Sequence, residues 1–158
     1  MKIGIDYHGV ISSSPEFFAV MSKLFIDNGH EVHIITGNDV DIDFLRKIES
    51  LNIKYTNIFS IVGYQKKLGT QIEWKEDGPW MNKEIWDRAK SEYCKKHRID
   101  LMIDDTSRYG EYFKTPFIHW QKKLNNGKNT SSFNLGRFGN RENTCLRFIR
   151  NNTRYTCL

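Results

Sequence analysis

The residues best placed for chemistry lie in three short stretches far apart in the chain. Asp6 follows the apolar positions Ile3 and Ile5 and is itself followed closely by Gly9. An apolar run that breaks into polar and turn residues predicts a buried strand delivering a carboxylate to its own C-terminal end. A second strand-like run ends in Thr36-Gly37-Asn38, and a third ends in the pair Asp104-Asp105. A single aspartate after a strand is an ordinary turn residue. Three parallel strands that each end this way point instead to one shared crevice, because ligands of open parallel sheets bind where connections diverge at the strands' C-terminal ends. The chemistry on offer there is that of carboxylates beside a hydroxyl.

The elements that must position these residues can be read in order. Ser14-Pro15 opens a helix running to about Asn28, with Phe17, Phe18, Met21, Leu24 and Phe25 at helical spacing on the expected buried face and Gly29 as its stop. Glu31 to Ile35 is the second strand, and a helix follows to about Leu51. Asp39, Asp41 and Asp43 mimic the start of a calcium loop. Phe44 stands where that loop needs glycine and Ser50 where it needs glutamate, so acidic residues favoured at a helix N-terminus explain them better. A third strand is expected over Asn57 to Val62, then an irregular segment, Gly63 to Met81, that would form a short hairpin over the site. Asn82 opens a helix to about His97 with Ile85, Trp86, Ala89 and Tyr93 inward. Asp100 to Asp104 and Pro116 to Trp120 are the remaining strands.

The order and content of these motifs resemble the haloacid dehalogenase-like (HAD) superfamily of phosphohydrolases, over Met1 to about Trp120. The resemblance implies an α/β, three-layer Rossmann-like fold with a five-stranded, mainly parallel sheet and little or no cap. It also implies roles. Asp6 would be the nucleophile forming an aspartyl-phosphate, and Asp6, the His8 carbonyl, Asp104 and Asp105 would hold Mg²⁺. Thr36 and Gly37 would bind the phosphate. Lys83, in the first turn of its helix, would neutralise both phosphate and nucleophile. A phosphate dianion repels an approaching carboxylate by about 4 kcal/mol per unit charge at ~4 Å in an effective dielectric near 20, so a cation and a lysine are needed. His8 stands where these phosphatases carry a second aspartate, which protonates the leaving group. Imidazole, with an unperturbed pKa near 6.5, could do the same work; a relative without turnover that only binds phosphate-containing ligands or nucleic acid is the alternative.

With 158 residues the chain has room for one domain with a real core. No apolar run approaches the ~18 residues of a membrane span, and Asp6 interrupts any signal-like stretch, which predicts a cytoplasmic protein. Three cysteines without C-x-x-C spacing indicate neither a zinc site nor a disulfide framework. Residues 1–124 are expected to be the hydrolase core and 125–158 a basic extension. The latter holds Lys128 and five arginines against Glu142 alone, and so carries the whole net charge of +5. Such asymmetry hints at nucleic-acid contact, with scattered aromatics available for stacking. Together with Asp104-Asp105, which resembles the deoxyribonucleotidase-like members, it directs the substrate expectation to nucleotides or phosphorylated nucleic-acid ends. A nearly capless crevice is also compatible with an oligomer whose neighbouring subunit supplies a lid.

Overall fold

The computed structural model describes residues 1–76, 78–125 and 128–135. Strand β1 (Lys2–Asp6) is followed by helix α1 (Pro15–Asp27), β2 (Glu31–Thr36), α2 (Ile42–Ser50), β3 (Asn57–Ser60) and α3 (Ile61–Lys67). A small antiparallel hairpin, β4 (Glu73–Lys75) and β5 (Gly78–Trp80), precedes α4 (Lys83–His97). Then come β6 (Leu101–Asp104), a 3₁₀ turn at Ser107–Tyr112, β7 (Phe117–Asn125) and β8 (Lys128–Leu135). The main sheet has the order β3-β2-β1-β6-β7-β8. Its first five strands are parallel, and β8 joins antiparallel to β7. With helices on both faces this is a three-layer, Rossmann-like α/β fold. The strand order steps outward from β1 through β2 to β3, then reverses to β6. The β1/β6 boundary is therefore the switch point at which open α/β sheets form their crevice.

Alternation along the strands divides the core. Ile3, Ile5, Val32, Ile34 and Ile103 pack with Phe18 of α1 and Ile48 of α2 on one face, while Ile35, Phe59 and Met102 pack with Ala89 and Cys94 of α4 on the other. Each fully buried aliphatic or aromatic side chain stabilises by roughly 1.5–3 kcal/mol. Gly4 permits this closeness: a Cβ there would lie 2.8 Å from Ile35 Cδ1 and 2.9 Å from Met102 Sδ. Caps fix the helices where the sequence places them. Asp41 accepts from the Phe44 N–H at the start of α2, and Asn82 accepts from Glu84 and Ile85 at the start of α4.

Three expectations change. On α1, Phe18 is buried but Phe17 and Leu24 are exposed, so the inner face is narrower than the apolar spacing implied. The third strand stops at Ser60, whose hydroxyl caps α3 through the Gly63 N–H, so Ile61 and Val62 are helical. The sheet also does not end near residue 124, since β8 extends it into the segment read as a basic extension. The remainder of that extension, residues 136–158, where the sequence leaves room for one more short element over 144–151, lies outside the described residues. No helix among the described residues is long and apolar enough to cross a membrane.

Candidate metal and phosphoryl-transfer site

Asp6 and Asp104 end adjacent strands. Because β1 and β6 are in register with Ile5 opposite Ile103, the two carboxylates emerge side by side at the switch point. Thr36 follows Ile35, the partner of Asp6 on the other flank. Asp105 begins the loop after β6. One oxygen from each of Asp6, Asp104 and Asp105 lies within 4.8 Å of the other two. The loop after Asp6 is drawn tightly against Asp105. Gly9 has φ +70°, and a Cβ there would lie 1.8 Å from Asp105 Oδ2. The loop is laced by bonds from Ser12 N–H to the Tyr7 carbonyl (2.9 Å) and from Gly9 N–H to Ser12 Oγ (3.1 Å).

The lysine of this site is Lys90, not Lys83. Its ammonium lies 3.0 Å from Asp6 Oδ1 and 2.6 Å from Asp104 Oδ2, with only 4% of the residue exposed. Lys83 stands two turns nearer the N-terminus of α4, exposed, and pairs with Asp87 instead. The reason is geometric. At 1.5 Å rise per residue the first turn of α4 projects about 10 Å beyond the level of Lys90, past the strand ends. One signal for Lys90 was present in the sequence: it follows Trp86 by four residues and Ala89 by one, which places a lysine on the edge of the helix's apolar face.

Asp6 Oδ1 accepts from both Lys90 and the Tyr7 N–H (2.8 Å). Oδ2 takes part in neither contact. Asp104 is fully buried, with Oδ1 accepting from the Thr106 N–H at 2.8 Å and Oδ2 from Lys90. Three carboxylates thus face one ammonium. Burial pushes Asp6 up to about 7; Lys90 opposes this, and the charges of Asp104 and Asp105 add to it. Asp105 is raised by burial and then by Asp104. Burial pulls Lys90 down, but the attraction of Asp6 and Asp104 outweighs it and holds the ammonium above its ordinary value.

This excess of negative charge is what a divalent cation would relieve. With one oxygen of each within 4.8 Å of the other two, the three carboxylates would hold such a cation by drawing in around it. Oxygen-only donors suit a hard cation.

At the rim, His8 is exposed, with Nδ1 3.4 Å from Thr36 Oγ1 and Nε2 3.4 Å from the Asn38 side-chain amide. Burial of its ring lowers its pKa, and the cations Lys90 and Lys47 lower it further. Thr36 is fully buried and accepts from the Asn38 N–H at 3.3 Å. Asn38, which sequence reading gave no role, is anchored in turn by Ser60 Oγ donating to its carbonyl at 2.7 Å. Gly37 lies under Trp86, where a Cβ would come within 2.8 Å of the indole. Trp86 is itself fixed by donating to Tyr109 Oη at 2.8 Å.

Asp6, His8, Thr36, Gly37, Asp104 and Asp105 are thus gathered around the β1/β6 crevice, and Lys83 is left at its edge. His33 is buried between Tyr93 Oη (2.8 Å) and Glu31 (3.1 Å). The hairpin exposes Trp74 and Trp80, each beneath a lysine, Lys66 and Lys75 respectively. A separate groove of about 420 Å³ runs between it and the start of α4, lined by residues such as Thr70, Trp80, Met81 and Ile85. No protein-family model matches the sequence, and a search of curated proteins gives no match.

Proposed function

We propose that this protein is a Mg²⁺-dependent phosphomonoesterase of the haloacid dehalogenase-like kind, acting through an aspartyl-phosphate at Asp6. The observation that carries the reading is the buried Asp6–Lys90–Asp104 bridge at the switch point, with Asp105 completing a trio of carboxylates. Asp6, Asp104 and Asp105 would hold the cation, which when bound screens the phosphate dianion and keeps Asp6 ionised. Lys90 fixes Asp6 by Oδ1, which leaves Oδ2 to attack phosphorus as the bond to the leaving oxygen breaks. His8, protonated, gives its proton to that oxygen. Neutral again, it takes a proton from the water that hydrolyses the aspartyl-phosphate, and inorganic phosphate leaves. The Thr36–Asn38 loop lies beside His8 and supplies the hydroxyl and N–H groups for the phosphoryl oxygens.

Nucleotides or phosphorylated nucleic-acid ends are the proposed substrates, since only the small β4–β5 hairpin lies between α3 and α4 as a cover. A cytoplasmic location belongs to the same proposal and is supported by the buried free thiol of Cys94. The competing reading, a phosphate-binding protein without turnover, draws on His8, whose pKa is lowered by burial and by Lys90 and Lys47, so that its ring is less often protonated when a leaving group needs a proton. The two separate cleanly. Hydrolysis of nitrophenyl phosphate should require Mg²⁺ and fall to background in Asp6→Asn; no Mg²⁺-dependent hydrolysis by the unsubstituted protein would leave the binding reading.

A further inference from the structure

Lys83 and Arg108 form a second cationic centre, at the edge of the crevice. Both reach Asp87, a carboxylate with 1% exposure that lies beneath them, while their own side chains are 75% and 56% exposed. Two positive charges on one negative leave a surplus. Lys83 lies in the first turn of α4, where the helix dipole disfavours a cation, and it shares its partner Asp87 with Arg108. Arg108 meets Asp87 only through Nε, at 3.5 Å, beyond a good hydrogen bond, and Asp87 Oδ1 has no hydrogen-bond partner among the described residues. Neither cation is saturated by this carboxylate. Asp87 holds two long side chains at one place without cancelling their charge.

The distance of this centre from the reaction centre is bounded in two ways. The Tyr109 ring has Lys90 Nζ 5.2 Å from its centroid and Arg108 Cζ 5.1 Å from it, so the guanidinium is at most about 10 Å from Lys90. Along α4, seven residues separate Lys83 from Lys90, again ~10 Å. Both cations rise on the side of the sheet to which Asp6 and Asp104 point.

We infer that Lys83 and Arg108 bind a second phosphate of the substrate, one separated from the reacting phosphate by about the breadth of a nucleoside. The inference rests on the phosphomonoesterase reading for the identity of the first phosphate. Pyrophosphate, whose phosphorus atoms share an oxygen, falls well short of a separation near that bound. A nucleoside 3′,5′-bisphosphate, or a phosphorylated nucleic-acid end with its next phosphodiester, has the required separation.

The test is calorimetric binding with Mg²⁺, in Asp6→Asn to prevent turnover. The probes are a nucleoside 5′-monophosphate, the 3′,5′-bisphosphate, a 5′-phosphorylated dinucleotide and pyrophosphate. The bisphosphate, the dinucleotide or both should bind about tenfold more tightly than the monophosphate. Adding Lys83→Gln and Arg108→Gln should bring that ratio below about threefold. A further variant that also carries Asp87→Asn removes the carboxylate those changes leave unpaired, and guards against misfolding. Gain with the bisphosphate alone identifies a small-molecule substrate; gain with the dinucleotide alone identifies a nucleic-acid end. A ratio that survives both variants, no preference at the outset, or an equal gain with pyrophosphate overturns the inference. Hydrolysis of nitrophenyl phosphate by the unsubstituted protein keeps the failures apart: turnover without the preference sinks only the subsite, and the preference without turnover sinks only the enzyme reading.

Discussion

Replacing Lys90 with methionine keeps the bulk of the side chain and removes its charge. At 2.6–3.0 Å and an effective dielectric near 20, each of the two ion pairs is worth about 5–6 kcal/mol of gross attraction. Much of this offsets the cost of taking three charged groups out of water. Removing the cation abandons the attraction and keeps the cost, because Asp6 and Asp104 remain 4% and 0% exposed. The expected loss is about 3–5 kcal/mol at pH 8, the usual cost of breaking a buried pair. With a urea dependence of ~2 kcal/mol per molar, the unfolding midpoint should fall by about 2 M.

The pH dependence gives a sharper test. Lys90 is raised, so its contribution is complete below the unfolded lysine pKa near 10.4 and does not change between pH 5 and 8. Change in that range comes from the carboxylates and from His8, whose lowering by Lys90 ends in the variant and shifts the balance the same way. The carboxylates' folded pKa values, already raised at Asp6, climb further without the ammonium, so the folded state gains protons as pH falls and the penalty shrinks. Urea unfolding at pH 8 and pH 5 should show the deficit of Lys90→Met reduced by half or more at pH 5. Lys83→Met, which leaves Arg108 facing Asp87, should shift the unfolding midpoint far less than Lys90→Met at either pH. A Lys90→Met protein as stable as the wild type at pH 8, or a deficit that does not respond to pH, would refute the electrostatic account of the site.

Gly9→Ala should weaken Mg²⁺ binding measured by calorimetry, by about tenfold or more, and lower stability by more than ~1 kcal/mol, because its Cβ displaces Asp105 and its φ is left-handed. His8→Ala should slow hydrolysis of a nucleotide ester by about 10² to 10⁴-fold while leaving nitrophenyl phosphate, whose leaving group scarcely needs a proton, much less affected. Equal losses on both substrates would remove His8 from proton transfer. Burial pushes the Cys94 thiol up to about 12, so a variant with Cys145→Ser and Cys157→Ser should resist thiol reagents at pH 8 until denaturant is added.

Much of the scaffold was legible because local rules and tertiary packing agree there. Apolar positions 3 and 5, the Asn82 cap and the polar residues at the strand ends each mark their element without knowledge of the rest. Ser60-Ile61-Val62 was misread because a β-branched pair favours a strand by propensity, whereas the Ser60 cap turns the same residues into a first helical turn. β8 was missed for the opposite reason. The sequence of Lys128–Leu135 is polar, and only its pairing with β7 makes it a strand. Lys83 and Lys90 lie on one side of one helix, and choosing between them needs the level at which α4 crosses the strand ends. That level is set by how α4 packs on Ile35, Phe59 and Met102, and no local pattern records it.

The central place of β1 also governs when the site can come into being. Asp6 is made before its neighbours Lys90 and Asp104, which come more than eighty residues later. Pairing over such a separation closes slowly compared with hairpins or helices. A nascent chain halted before α4 would carry Asp6 without its counter-ion, and one halted before β6 would still lack Asp104. Competence to bind a cation should therefore appear late and all at once during synthesis, as a reporter that the whole sheet has closed.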